Sequence, residues 1–416
     1  MCDTCPDEQR PTRPGGPALS TDGPALIPAG TPGLASWQIV RYQQARWALS
    51  ARCLSKDPQL AWEALGHSHL LPSSAEDQQR CIRNMASTDP PGHTRLRTLL
   101  AKALTPERMK RMRPRIVRVI RVLADRMIPA RSVDLVRSFI FPLQVIVTCD
   151  LLGVPPHQRG DFRSFAAGMR AQVGSEGCVQ NYHEAYRRMG VLVAEVLATK
   201  LDQVRTLGSP DLQPDVLSAM VSARDDSDGL TVPEMQSMAM LIISAGQEPT
   251  IDLIANGMLA MLLNPDQLQT FRRHPELRTQ AVEELLRHEP PILSTPRIAA
   301  QDIKIGGTVV RRGSIIAVMI ECTNRDPSQF REPDALDVTR KRNEHLTFGH
   351  GIHYCIGAPL ARLQATEALT ALVTRFPHIA LAQSPQRLRW RSVAGGAGLV
   401  ELPVALGSRA IQPPWA

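Results

Sequence analysis

The sequence predicts a mainly α-helical fold with small β-sheets, and three observations carry that prediction. Apolar residues recur at helical spacing along seven long segments, while β-branched runs beside turn residues occur in only two short places. A chain of 416 residues, 43% of them hydrophobic, is long enough to bury a large core.

Residues 1–33 are rich in Pro, Gly and Thr and read as a disordered or extended lead-in, followed by one folded domain over 34–416. The helical segments are 94–104, 115–127, 134–152, 180–206, 232–263, 276–288 and 358–375. Before the second, "RMKRMRPRIVRVIR" (Arg108 to Arg121) reads as a solvated helix face broken at Pro114, or as a docking patch for an acidic protein. The segment 232–263 opens on a capping box, Thr231 with Glu234, and ends at Asn264-Pro265; at helical rise it spans about 50 Å, enough to cross a domain. Strand signals lie in "IKIGGTVVRRGSIIAVMI" (Ile303 to Ile320), where Gly-Gly joins two β-rich runs, and in "LVELPVAL" near the C-terminus.

A net charge of +8 with basic and acidic residues interleaved does not call for nucleic acid. There is no run of about 18 apolar residues and no signal-peptide core, so no membrane partner and a cytoplasmic location are expected. Eight scattered cysteines are then expected to be reduced thiols; Cys2 and Cys5 form a C-x-x-C with no second pair at zinc-site spacing.

Cys355 stands apart from the other seven. In "LTFGHGIHYCIGAPLAR" (Leu346 to Arg362) it lies between Gly349, Gly351 and Gly357, next to His350 and His353. A zinc site would need a fourth ligand, and an isolated intracellular cysteine is ordinarily a buried structural residue. However, Gly349 and Gly351 let the backbone turn closely, and Gly357 opens a helix whose unpaired N–H groups point toward the sulfur and favour a thiolate.

This stretch closely resembles the haem-binding signature of the cytochrome P-450 superfamily, F-G-x-G-x-H-x-C-x-G, with every fixed position filled by Phe348, Gly349, Gly351, His353, Cys355 and Gly357. The resemblance is to the soluble bacterial haem-thiolate monooxygenases and extends from about Trp37 to Leu406. It supplies the E-x-x-R pair as Glu284 and Arg287, with Arg340 as third member of an ion network. It implies a single P-450 catalytic domain over 34–416, with haem between a long distal helix and a proximal cysteine loop. It also implies haem b with Cys355 as iron ligand, and His93, Arg97, Arg297 and His353 as partners of the propionates.

On the distal helix the resemblance assigns Ala245 and Gly246 to the space for dioxygen, Glu248 to proton delivery and Thr250 to a relay. The family pattern A-G-x-(Asp or Glu)-Thr-Thr is broken at Pro249, which lacks both a hydroxyl and an N–H and is expected to kink the helix. By family position the pocket involves Leu70, Leu71, Ile242, Ile243, Ile292 to Thr295 and Val393 to Gly398.

Electrons are implied to come from an external NAD(P)H-linked donor through a ferredoxin and ferredoxin reductase, docking near Arg108 to Arg121 with Arg362 joining that surface. The implied activity is dioxygen-dependent oxidative tailoring of a partly apolar small molecule or small peptide in specialised-metabolite biosynthesis. Pro249 keeps open aryl or peptide crosslinking without oxygen insertion, and a non-catalytic haem-based sensor is the reading from another class.

Overall fold

A computed structural model describes residues 26–28, 36–60, 84–170, 178–207, 215–222, 229–393 and 395–407. Within them the fold is mainly α with small sheets. All seven expected segments are helical, as Gly92–Ala103, Pro106–Met127, Phe141–Leu152, Cys178–Leu207, Val232–Leu263, Arg278–His288 and Ala358–Arg375. Among the described residues five further α-helices, Tyr42–Ser50, Arg159–Arg170, Val216–Ser222, Pro265–Arg273 and Ile320–Thr323, are short or bury few apolar side chains. Arg159–Arg170, for example, buries only Phe162 and Ala166.

Val232–Leu263 is the axis of the larger core. Apolar residues on every side of it are buried, among them Met235, Met238, Ile243, Ile251, Ile254 and Met258, as a helix enclosed within a large domain requires. Phe141–Leu152, Cys178–Leu207 and Ala358–Arg375 pack against it. Its capping box is formed: the Thr231 hydroxyl accepts from Glu234 N at 3.3 Å, and the Glu234 carboxylate accepts from Thr231 N at 2.8 Å.

Three prolines test the helix rules. The expected break at Pro114 does not occur, and Pro106–Met127 runs through it. Pro114 removes the N–H that Lys110 O would accept, but both residues are exposed, where a freed carbonyl costs little. Pro142 falls where its missing N–H would have bonded Ser138 O, and the preceding turn, Val136–Ile140, widens to a π-helix. Pro249 lies inside the long helix without ending it.

A five-stranded sheet flanks the helical body in the order Leu26–Pro28, Ser36–Ile39, Ile315–Met319, Ser294–Ala299, Leu54–Ser55. Ser36–Ile39 and Ile315–Met319 are parallel and the other neighbours antiparallel. Its buried residues Ile39, Ile316 and Val318 join Tyr42, Ala45 and Leu49 in a second, smaller core. Leu26–Pro28 falls inside the segment expected as a lead-in and is extended; the other residues of 1–33, with Cys2 and Cys5, lie outside the described residues. Gly306-Gly307 does turn a hairpin, Ile303–Ile305 with Thr308–Val310, whereas Ile315–Met319 enters the larger sheet. "LVELPVAL" divides, Gly396–Leu399 pairing Trp390–Val393 and Pro403–Ala405 pairing Ser132–Asp134.

Candidate functional site

The cysteine loop is fixed before it reaches Cys355. Leu346 N donates to Asn324 Oδ1 at 2.8 Å, the Thr347 hydroxyl donates to Leu286 O at 2.7 Å, and Cys355 N donates to Phe348 O at 2.9 Å. Gly349 and Gly351 have φ of +78° and +75°. A Cβ on Gly351 would lie 2.9 Å from Ser50 Cα, so the loop requires glycine there for its conformation and for its approach to helix Tyr42–Ser50.

Behind the loop lies the E-x-x-R network. Arg287 Nε and Nη2 donate to the two Glu284 oxygens at 2.8 Å each, with both side chains fully buried. Arg340 Nε and Asn343 Nδ2 complete that carboxylate at 3.0 and 2.9 Å, while Arg287 Nη1 reaches Asn324 O at 3.0 Å. The network therefore supports Asn324, which in turn holds Leu346.

Arg362, expected on a docking surface, is instead committed to the loop. Its Nε and Nη2 meet the two Glu283 oxygens at 2.7 Å each, and its guanidinium lies 4.5 Å from the centroid of the Phe348 ring. The signal was present, since Arg362 falls one turn into the helix after the cysteine, but its partner Glu283 is far away in sequence.

The backbone N–H groups of Gly357 and Ala358, at the start of helix Ala358–Arg375, act in the direction that favours a Cys355 thiolate, and Ala358 N donates to Cys355 O at 3.4 Å. Burial nevertheless outweighs them and pushes the thiol up from its ordinary value, with Arg97 and Arg362 acting in the lowering direction. The helix start thus acts toward a thiolate, as expected, and burial acts against it. Cys355 is exposed at the turn that leads into helix Ala358–Arg375.

The long helix has a matching opening. Ala245 and Gly246 are exposed between the buried Ile243 and Gln247, and a Cβ on Gly246 would meet nothing within 4 Å. Pro249 offers no N–H to Ala245 O, and the Thr250 hydroxyl donates to Gly246 O at 2.9 Å. Glu248 is not a free acid. Its Oε2 accepts from Arg170 Nη1 at 2.8 Å and from Arg391 Nη2, which also contacts the two Asp252 oxygens at 2.8 and 2.7 Å. Arg170, Arg391 and Asp252 escaped sequence reasoning.

The third part of the site is a cluster of bases. The His93 and His353 rings stand 4.3 Å apart, and neither nitrogen of the buried His93 has a hydrogen-bond partner. Arg97 Nη2 donates to Tyr354 O at 2.7 Å, and Arg297 Nη1 to Pro296 O at 2.8 Å and to Thr295 Oγ1 at 3.3 Å. Burial and the neighbouring cations His93, Arg297, Lys56 and Arg97 push His353 down to about 3, and burial with Arg97 lowers His93. Lys56, with no motif to mark it, belongs to the same cluster.

These residues fit haem b. Orphaned imidazole nitrogens and converging cations suit a ligand with carboxylates at one edge, and the exposed Cys355 and the side-chain-free patch at Gly246 suit the two faces of a flat body. Of the expected pocket residues, Ile243 is buried and Ile242, Ile292 and Thr295 are half-buried. Leu70, Leu71, Ala394 and the side chain of Val393 lie outside the described residues.

Comparison with known proteins agrees with this geometry. The family model for Cytochrome P-450 matches residues 176–396. Cytochrome P-450 107B1 of Saccharopolyspora erythraea is 38% identical over 381 residues, covering 90% of each chain. The 6-deoxyerythronolide B hydroxylase of the same organism is 37% identical over 378 residues, covering 90% of this chain and 91% of its own. The solved structure of the Bacillus subtilis 168 bacillaene polyketide synthase cytochrome P-450 PksS superposes with a TM-score of 0.80 at 32% identity, covering 90% of this chain and 91% of that one.

Proposed function

This chain belongs to the cytochrome P-450 family, and on that premise we propose that it is a haem-thiolate monooxygenase performing oxidative tailoring of a partly apolar small molecule in specialised-metabolite biosynthesis. The observation that carries the reading is the pairing of an exposed Cys355, on a loop fixed by its own backbone hydrogen bonds, with a basic cluster of His93, Arg97, Arg297 and His353. Relatives named as the 6-deoxyerythronolide B hydroxylase and a bacillaene polyketide synthase P-450 support the substrate class. We read 34–416 as one catalytic domain.

In this reading Cys355 ligates iron, the four basic residues hold the propionates, and Phe348, Gly349 and Gly357 shape the proximal face while Ala245 and Gly246 leave the distal face open. Haem b supplies activation of dioxygen with two electrons from outside the chain. The protein's own part is to place protons and exclude water. Glu248 lies one turn along from the Ala245–Gly246 opening, and Arg170 and Arg391 hold its half-buried carboxylate in place. The Thr250 hydroxyl, turned to Gly246 O, offers a relay on the opening side.

The electron donor of this proposal is a ferredoxin with its reductase. The exposed Lys110, Arg111, Arg118 and Arg121 on Pro106–Met127 offer an acidic carrier a docking face, while Arg113 and Arg115 are drawn to Glu367 and Asp150 at 2.7 and 2.8 Å. Among the described residues no helix is long and apolar enough to cross a membrane, in keeping with a cytoplasmic enzyme. Pro249, which withholds the hydroxyl expected beside Glu248, favours a second reading of oxidative coupling without oxygen insertion.

The test is spectral. Reduced protein with carbon monoxide is expected to give the thiolate-type Soret band, and Cys355→Ala to lose it. A variant that kept that band would remove Cys355 from the site.

A further inference from the structure

Lys56 occupies a place that no motif announces. It directly follows strand Leu54–Ser55, whose register pairs Leu54 with Ala299 and Ser55 with Ile298, so it comes alongside Arg297. Its Nζ donates to Thr295 Oγ1 at 3.1 Å, and Arg297 Nη1 donates to the same oxygen at 3.3 Å. Two cations thus converge on one neutral hydroxyl, within about two hydrogen-bond lengths of each other.

The neighbouring acid, Asp89, is a single charge beside the two cations. Asp89 accepts from Lys56 N at 3.1 Å and from the Ser55 hydroxyl, so its hydrogen bonds hold the strand end and not the ammonium. Arg97 and Arg297 suffice in charge for two propionates, and Lys56 is one positive charge more. Burial, then Arg297, lowers Lys56 to about 7, while Asp89 acts in the raising direction. Two partly desolvated like charges side by side are the arrangement that an anion between them relieves.

We propose that Lys56 and Arg297 form a carboxylate clamp around the Thr295 hydroxyl, with Lys56 as its unrecognised member. The shared chemistry is a carboxylate, and it has two sources, a haem propionate or an acidic group on a substrate entering beside Thr295. This rests on the haem-protein reading above.

Holoprotein is compared with Lys56→Met and Lys56→Arg, each checked for an unchanged circular dichroism spectrum. Haem transfer to excess apomyoglobin reads the propionate source, and Soret shifts on titration with dodecanoate and methyl dodecanoate read the substrate source. Loss of one hydrogen bond to a charged group predicts a change of roughly tenfold or more in Lys56→Met. Faster haem transfer assigns the clamp to a propionate. Weakened dodecanoate binding with unchanged ester binding assigns it to a substrate carboxylate, and Lys56→Arg restores either behaviour. Unchanged haem transfer overturns the proposal if wild-type protein shows no preference for acid over ester, or if Lys56→Met keeps the same preference. A wild-type protein without a Soret band would instead sink the haem-protein reading itself.

Discussion

Replacing Arg391 by methionine keeps much of the buried volume and removes the guanidinium that Asp252 and Glu248 share. In the native protein Arg391 Nη2 meets the Asp252 oxygens at 2.8 and 2.7 Å, with Arg170 Nη1 3.9 Å away. Burial still raises Asp252 from 3.8 to about 6, with Glu248 adding to it and the arginines opposing. The sign of the linkage follows. Between pH 4 and 6 the folded chain keeps a proton that the unfolded chain releases, so stability falls as pH rises through that window. A gap of about two units makes the loss about 3 kcal/mol, complete above pH 6.

Without Arg391 the Asp252 value moves higher still, and retaining its proton limits the cost of an unpaired buried charge. At pH 6 the variant therefore differs little from native protein through Asp252, and each further pH unit adds about 1.4 kcal/mol of destabilisation, to about 3 kcal/mol at pH 8. Glu248 retains Arg170 at 2.8 Å. Urea unfolding of both proteins at pH 6, 7 and 8, followed by circular dichroism, measures the difference. A penalty of about 3–5 kcal/mol equal at all three values would mean that Asp252 stays charged and unpaired, and would refute the reasoning.

Glu284→Ala leaves the fully buried Arg287 without its carboxylate and is expected to cost about 3–5 kcal/mol, read as a lower melting temperature and, through Asn324 and Leu346, as earlier loss of the Soret band on heating. Pro249→Thr restores an N–H to Ala245 O and adds a hydroxyl. If Pro249 suppresses oxygen insertion, the product gains one oxygen in place of losing two hydrogens, whereas better coupling with an unchanged product mass would limit its role to oxygen activation.

What was legible in the sequence is what is local. The signature around Cys355, the capping box of Thr231 and Glu234, and the Glu284–Arg287 pair each lie within one or a few turns of chain, where spacing alone sets which groups can meet. The long apolar segments were legible for the same reason, because burial of one face or of all faces is written at helical period. Pro114 was misjudged because its effect depends on exposure, and the carbonyl it frees belongs to an exposed residue.

The charge pattern of the site was decided by tertiary structure. Arg391 reaches Asp252 across 139 residues and Arg170 reaches Glu248 across 78, so neither pair has a spacing that periodicity can register. Arg362 was expected at a surface and is held by Glu283, and Lys56 is brought to Arg297 only by the register of a two-residue strand. By itself the sequence determined the helices, the haem-type cysteine loop and the family. Core packing and sheet register alone decided which charges are neutralised and which are left facing a ligand, because electrostatic energy depends on distance and burial in space and not on separation along the chain.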